Sequence, residues 1–123
     1  MQTFTKAERI SSQKEIDLLF REGKSFTAYP LRVIYVTRKP FSGVPVSILV
    51  SVPKKRFKRA VKRNRVKRLI REAYRLNKKI LWESLACSEQ GLLIAFIYIG
   101  HKVSNFSAME EAMKKAMTGI AVL

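Results

Sequence analysis

The chain has 123 residues, 47% of them apolar, and its 25 Lys and Arg outweigh nine Asp and Glu to give a formal net charge of +16. This length predicts a single domain over residues 1–123, and the apolar content argues against global disorder. The sequence has no apolar run near the ~20 residues of a spanning helix, no signal-peptide core, and one cysteine, Cys87, which excludes an internal disulfide. We therefore expect a soluble, cytoplasmic protein with an anionic partner.

The first predicted element is a short helix over residues 12–22. Ser12 with Glu15 three residues later forms a capping-box signature, and Gly23 is a suitable stop. The apolar residues that follow the cap at helical spacing are Ile16, Leu19 and Phe20.

Two or three strands follow this helix. The candidate segments are rich in β-branched and aromatic residues and span residues 25–29, 31–37 and 46–52. Pro30 separates the first two segments, and Pro53 closes the third. Turn chemistry at residues 39–43 connects the second segment to the third.

The next segment, residues 54–79, concentrates the charge of the chain. It holds fourteen of the 25 Lys and Arg and one acid, Glu72, and so carries +13 of the +16. The remaining residues have eleven bases and eight acids, which leaves +3. Such a concentration costs self-repulsion that an anionic partner relieves. A polyphosphate chain suits this segment because binding releases its condensed counterions.

The same segment predicts an amphipathic helix from about residue 59 to residue 79, about 30 Å long, that continues towards Leu81 and Trp82. One side is apolar and is expected to face the core; its residues are Val66, Leu69, Ile70, Ala73 and Leu76. The opposite side carries a polar row of Asn64, Arg68, Arg71 and Arg75, accompanied by Lys67, Arg63 and Arg65. Arginine outnumbers lysine in this row, which suits bidentate phosphate contacts.

Three other interpretations of this basic helix compete with nucleic-acid binding. A solvated charge run normally mixes both signs, whereas only Glu72 is available here for pairing. A disordered basic tail would lack the apolar stripe. A membrane-surface helix stays open because basic faces bind anionic lipid, but the chain has other apolar segments that need a buried partner. Nucleic-acid binding is therefore favoured.

The last two elements complete the fold. Residues 92–99 form a continuous apolar run of strand length, typical of a central strand. Ser107 with Glu110 repeats the capping box, and a last helix follows with the apolar stripe Met109, Ala112, Met113, Ala116 and Met117. The order α, two or three strands, α, strand, α predicts an α+β two-layer sandwich in which helices cover at least one face of a small mixed sheet.

The chain is poor in side chains for catalysis. Hydrolases need paired carboxylates or a histidine near a nucleophile, but Asp17, His101 and Cys87 are each the only residue of their type. Asp17 fits a first-turn acid, His101 a loop residue or an incidental phosphate contact, and Cys87 a packing residue. We therefore expect a protein that binds, with no catalytic side chains and no metal site of its own.

Two runs of this sequence resemble the signature of the bacterial ribonuclease P protein subunit. The first is Ser-Val-Pro-Lys-Lys at residues 51–55, and the second, at residues 60–74, contains Arg63-Asn64-Arg65 followed by Lys67-Arg68-Leu69. The resemblance extends over the whole chain, because that family has the same αβββαβα order. It implies a left-handed crossover between two parallel strands, which general topology rules make very rare.

The resemblance also implies a function. In this family the protein joins a catalytic RNA, which removes the 5′ leader of precursor tRNA with Mg²⁺ held mainly by the RNA. A monomeric protein, one per RNA, would then lack catalytic residues because the active site belongs to the other molecule.

Two binding surfaces follow from the resemblance. The expected contacts to the catalytic RNA are Arg63, Asn64, Arg65, Lys67, Arg68 and Arg71. A cleft between the first helix and the sheet would hold the single-stranded leader, with Phe20, Ile16, Tyr35, Ser51, Lys54 and Lys55 as its expected residues. Relatives often carry a second Phe where this chain has Ile16. Tyr35 faces this cleft only if the strand register is as expected, since a one-residue slip reverses its side chain.

Two other function classes compete with this one. A structural RNA-binding protein, such as a ribosomal component, would use the same basic helix without preferring leader-bearing precursor. A DNA-binding regulator would normally show a helix-turn-helix or a dimer interface, and the sequence shows neither.

Overall fold

A computed structural model describes residues 8–10, 12–38, 45–85 and 91–121. Its elements in chain order are α1 (Gln13–Glu22), β1 (Lys24–Ala28), β2 (Leu31–Arg38), β3 (Val46–Ser51), α2 (Ala60–Asn77), α3 (Lys79–Ser84), β4 (Gly91–Tyr98) and α4 (Phe106–Ala121). The predicted turn at residues 39–43 and Cys87 lie outside the described residues. Within the described ranges, no helix is both long and apolar enough to cross a membrane.

The four strands form one mixed sheet in the order β1-β2-β4-β3. β2 pairs antiparallel with β1 and β4, whereas β3 pairs parallel with β4. The predicted central strand is therefore confirmed, and its continuous apolar run follows from burial on both faces. α2 and α3 make the crossover between the two parallel strands, and its left-handed sense stays a prediction of the resemblance.

Helices cover both faces of the sheet and divide the core in two. On one face, α2 and α4 enclose the larger cluster, which includes Val33, Ile48 and Phe96. On the other face, α1 packs on β2 and β4 around Leu19 and Leu93. Because successive side chains of a strand point to opposite faces, every strand residue can be assigned to the α2/α4 side or to the α1 side.

α1 begins and ends where the sequence predicts, for partly different reasons. Ser12 is the N-cap, but its side chain makes no capping hydrogen bond. Gly23 ends the helix with extended backbone, at φ −70° and ψ 148°. A Cβ at Gly23 would lie 2.3 Å from the Leu19 carbonyl oxygen and 2.7 Å from Cγ2 of Ile34. Glycine therefore allows the helix end to approach β2 closely.

The buried stripe of α2 is shifted around the helix from its predicted position. Val66, Ile70 and Ala73 are buried as expected, whereas Leu69 and Leu76 are only half-buried. Tyr74 and Asn77 are buried in addition. The helix stops at Asn77, whose Nδ2 donates to the Ala73 carbonyl oxygen at 2.8 Å and to Oε2 of Glu110 on α4 at 3.1 Å.

α4 has the predicted apolar stripe but a different cap. Met109, Ala112, Met113, Ala116 and Met117 are all buried. The predicted capping box at Ser107 is wrong, because the helix already begins at Phe106. Oδ1 of Asn105 instead accepts a 2.8 Å hydrogen bond from the Ala108 backbone N–H, which is the usual N-cap geometry.

Candidate nucleic-acid interface

The exposed side of α2 forms a shallow cationic groove with the N-terminal arm of the chain. This helix groove, of about 470 Å³, is lined by Arg9, Asn64, Arg68, Arg71, Glu72 and Arg75. The polar row predicted from helical spacing therefore exists as one continuous surface. Arg9 joins it from outside the helix, and no pattern in the sequence indicated that.

The charges of the helix groove are not equivalent. Arg75 donates to both carboxylate oxygens of Glu72, at 2.5 Å and 3.2 Å. The hydrogen bond from Arg75 lowers the pKa of Glu72, so this carboxylate stays ionised and offsets the charge of Arg75. Burial, and then the charge of Arg9, lower the pKa of Arg71. Two like charges that line one groove favour the binding of an anion between them.

A second cationic concavity lies beyond the carboxyl ends of the parallel strands β3 and β4. This loop groove, of about 570 Å³, is lined by Arg56, Phe57, Lys58, Arg59, Lys62, Arg65, His101, Lys102 and Val103. Six of these residues are Lys or Arg and none is acidic. Crevices at the carboxyl ends of parallel strands are common ligand sites, and the side chains here select for an anion.

One buried residue, Tyr98, supports both walls of the loop groove. Its ring lies 5.9 Å from the ring of Phe57 in the loop after β3. Its hydroxyl donates to the Lys102 carbonyl oxygen and lies 2.9 Å from Oγ of Ser104 in the loop after β4. The loops that carry Arg56, Lys58 and Lys102 are therefore anchored on the core, whereas Lys62 and Arg65 of the same groove belong to α2.

Arg63 on α2 stabilises the loop that forms one side of the loop groove. Its Nη1 donates to the backbone carbonyl oxygens of Phe57 at 2.9 Å and Lys58 at 2.8 Å. Both hydrogens of that nitrogen are thus used within the protein. The first arginine of the Arg-Asn-Arg motif acts as a positioning residue for the preceding loop.

The structure distributes the six residues expected to contact the catalytic RNA over distinct places. Asn64, Arg68 and Arg71 line the helix groove, and Arg65 lines the loop groove. Lys67 is half-buried and belongs to the lining of neither groove. The motif therefore serves two concavities on one helix.

The expected leader cleft corresponds to the α1 face of the sheet. Phe20 on α1 is 51% exposed, a large value for a phenylalanine, while Ile16 packs half-buried against the cluster around Leu19. Ser51 pairs with Ile97 and lies on this same face, because Leu49 two residues earlier packs in the α1-side cluster. An exposed aromatic ring such as that of Phe20 can stack on a base.

Two further cleft predictions have different outcomes. Lys54 and Lys55 are exposed just beyond the end of β3, where they can follow a phosphate backbone. Tyr35 is not in the cleft: it packs against the α2/α4-side core, and its ring contacts Phe26 edge-on at 6.0 Å. The register places Val33 and Tyr35 on that side and Ile34 on the α1 side.

Two cations, Arg9 and Arg32, were not among the residues predicted from the sequence, and the position of His101 and Lys102 beside α2 was not predicted either. Arg9 gave no signal, because it stands about fifty residues from the helix it joins. His101 and Lys102 meet the start of α2 only through the parallel pairing of β3 with β4. Arg32 is exposed on the α1 face, opposite Ile97. Strand alternation could have found Arg32 once the register was known.

Nowhere in the ranges that the structure covers do three or more His, Cys, Asp or Glu side chains lie together in a way that could hold a metal ion. Asp17 is on the exposed surface of α1, where Oδ1 accepts a 2.9 Å hydrogen bond from Gln13 Nε2. Asp17 is therefore solvated as predicted, but the prediction that it is a first-turn acid is wrong, because α1 begins at Gln13 and its first-turn acid is Glu15.

The fold and these surfaces define a small, basic α+β domain of the kind that binds polyanions. Residues 4–120 match the family model described as Ribonuclease P. The chain is 48% identical over 117 residues to the ribonuclease P protein component of Porphyromonas gingivalis, covering 95% of this chain and 85% of that protein. It is 37% identical over 100 residues to the Chlorobaculum tepidum protein of the same name, covering 76% and 65%.

The chain belongs to the ribonuclease P protein family, and this membership implies a part in tRNA 5′ processing within a ribonuclease complex. Solved structures agree on the fold. The ribonuclease P protein of Staphylococcus aureus superimposes with a TM-score of 0.69 at 23% identity, covering 94% of this chain and 96% of that one. The Thermotoga maritima protein superimposes with a TM-score of 0.69 at 24% identity, covering 91% and 96%.

Proposed function

We propose that this chain is the protein subunit of ribonuclease P and binds two RNAs at once. The two cationic grooves of α2 contact the catalytic RNA, and the α1 face of the sheet holds the single-stranded 5′ leader of precursor tRNA. The protein thereby aids the Mg²⁺-dependent endonucleolytic cut that gives the mature tRNA 5′ end. It works in the cytoplasm as a monomer, one per RNA.

The observation that carries this proposal is the pair of grooves on one helix. The helix groove and the loop groove together present ten Lys and Arg, namely Arg9, Arg56, Lys58, Arg59, Lys62, Arg65, Arg68, Arg71, Arg75 and Lys102, with Glu72 as the only acid in their linings. Arginine is suited to bidentate phosphate contacts. Two concavities separated by a helix can follow two stretches of a folded RNA backbone, which a single exposed charge run could not do.

The leader site rests on a different kind of surface. Phe20 offers an exposed ring, Ile16 an apolar floor, and Ser51 a hydroxyl, while Lys54 and Lys55 add charge at the edge. Sites for single strands combine stacking surfaces with a basic border in this way. With one ring on α1 instead of two, stacking would involve fewer bases of the leader.

The protein's own side chains would bind and orient RNA. Mg²⁺, held mainly by the RNA partner, would supply the activated water and the stabilisation of the leaving oxygen. Cationic side chains near the RNA would lower its self-repulsion, so that less Mg²⁺ is needed for the active conformation.

The test is cleavage of a precursor tRNA by a bacterial ribonuclease P RNA at low Mg²⁺, with and without the purified protein. The proposal predicts that the protein lowers the Mg²⁺ requirement or the KM for precursor. If a folded protein binds the RNA and changes neither quantity, including with the RNA of its own genome, a structural RNA-binding role replaces the proposed one.

A further inference from the structure

The N-terminal arm, residues 8–10, extends the surface for the catalytic RNA beyond α2. We infer that Arg9 is a phosphate-binding residue of the helix groove and that the buried Glu8–Lys78 ion pair positions it there. The inference rests on the proposed function, because it assigns a further contact to the same RNA partner. It involves residues far apart in sequence that only the fold brings together.

The backbone of the arm is bound to the sheet on one side of Arg9. The Ile10 N–H donates to the Ile48 carbonyl oxygen at 2.9 Å, and Arg9 forms a parallel bridge with Ile48. The Ile10 side chain is buried in the α1-side cluster. The arm therefore runs along the free edge of β3 and is fixed by residue 10.

The other neighbour of Arg9 is fixed by an ion pair. Glu8 Oε1 lies 2.8 Å from Nζ of Lys78, and the two side chains are only 2% and 8% exposed. Lys78 stands between α2 and α3, and its Nζ also lies 4.6 Å from the centre of the Trp82 ring. A buried pair of this kind holds one geometry, because moving either partner leaves an uncompensated charge in the core.

Arg9 is the exposed residue between these two anchors. It lines the helix groove opposite Asn64, Arg68 and Arg71. Its charge acts on Arg71 strongly enough to lower the pKa of that guanidinium, second to burial. The arm and the helix thus hold cations from two separate segments around one concavity, an arrangement that an RNA phosphate would stabilise.

The first test compares Arg9→Gln with Lys114→Gln, which removes an equal charge from the exposed side of α4. Affinity for a bacterial ribonuclease P RNA is measured over a series of salt concentrations. Arg9→Gln is expected to weaken binding about 3- to 10-fold and to lower the slope of log K against log salt by ~0.7–0.9, the value of one phosphate contact. Lys114→Gln should change neither.

The second test separates positioning from general stability by a double-mutant cycle. Glu8→Gln is measured with Arg9 present and again in the Arg9→Gln background. If Glu8 acts through Arg9, its substitution weakens RNA binding in the first case and has little effect in the second. If Glu8→Gln does not fold, Glu8→Met with Lys78→Met removes both charges and keeps the packing volume, and the same cycle applies.

Two results would overturn the inference. One is an Arg9→Gln protein that binds RNA with the affinity and slope of the Lys114→Gln control. The other is an effect of the Glu8 substitution that is equal in both backgrounds, which a purely structural ion pair would give. Failure of the unsubstituted protein to bind the RNA would be a different outcome, since it would refute the proposed function itself.

Discussion

The α2 surface and the α1 face of the sheet, which are the two proposed binding regions, differ in the chemistry of their side chains. The α2 grooves are lined by guanidinium and ammonium groups, with one acid among them. The α1 face contains the apolar cluster around Leu19 and Leu93, and α1 presents the exposed ring of Phe20. The two regions belong to opposite faces of one sheet, and the proposed function assigns a different RNA to each.

This difference predicts different responses to salt. Binding through α2 should weaken steeply as salt rises, because counterion release drives it. Binding through Phe20 should depend on salt far less, because stacking involves no phosphate. On the proposed function, the strongly charged region would provide affinity for the large RNA, and the weakly charged one would distinguish substrate with a leader from product without it.

The largest expected effect concerns what holds α2 in place. Ile70 is fully buried beneath the cationic side, and Ile70→Ala should lower the free energy of unfolding by roughly 2–5 kcal/mol through lost burial and a cavity. Val61 on the same helix is 79% exposed, so Val61→Ala should stay within about 0.5 kcal/mol. Denaturant unfolding measures both, and equal losses would contradict the description of α2 as a helix with one buried side.

The next effect concerns charge on the α2 surface. Replacing Arg65, Arg68 and Arg71 by Gln should weaken catalytic-RNA binding on the order of 100-fold and lower the salt slope by about 2 units or more. A matched triple variant at Arg21, Lys114 and Lys115 removes the same charge from exposed positions elsewhere. If the two triple variants lose equal affinity, net charge and not the grooves determines binding.

A smaller effect is expected in the cleft. Phe20→Ala should weaken binding of leader-bearing precursor to the assembled complex by roughly 1–3 kcal/mol, the value of one stacked base, and leave mature tRNA almost unaffected. Tyr35→Phe is the control, since Tyr35 lies on the other face of the sheet and should not alter leader binding. Equal loss for precursor and mature tRNA would show that Phe20 is not in a leader site.

The smallest effect has the opposite sign. Glu72 is the one acid in the lining of the helix groove and is paired with Arg75. Glu72→Gln removes a negative charge that repels phosphate, and it leaves Arg75 with its full charge. RNA affinity should rise a few-fold, as expected for about 1 kcal/mol or less at an exposed position. A loss of affinity would mean that the pair is needed to orient Arg75.

Most of the fold could be predicted from the sequence, because the local signals for helices and strands agree with the tertiary structure. Gly23 ends α1, the apolar run predicted over residues 92–99 forms most of the central strand β4, and the methionines of α4 are buried. The predictions failed where a neighbouring residue or a tertiary contact outweighed the local sequence signal. Asn105, and not the predicted Ser107, is the N-cap of α4. Tyr74 is buried despite its position beside the predicted stripe, because its ring packs near Phe96 and its hydroxyl accepts from Trp82.

Only part of the candidate site could be predicted from the sequence. The helical row containing Arg68 and Arg71 follows from periodicity alone. The loop groove does not, because it requires the loops after β3 and β4 to meet, which depends on the parallel pairing. The face of the sheet on which Tyr35 lies depends on the strand register, which no local sequence pattern determines. The position of Arg9 in the helix groove could not be predicted, because it depends on the pairing of the arm with the edge strand β3 and on a buried ion pair between residues 70 positions apart.

The most direct test of the two-region account is a crossed measurement on the assembled complex. Affinity for the catalytic RNA, and the ratio of affinities for leader-bearing and mature tRNA, are measured for Phe20→Ala and for the triple variant at Arg65, Arg68 and Arg71. The account predicts that Phe20→Ala lowers only the ratio and the triple variant only the catalytic-RNA affinity. If each variant lowers both quantities in similar proportion, the protein has one RNA-binding surface and the account is wrong.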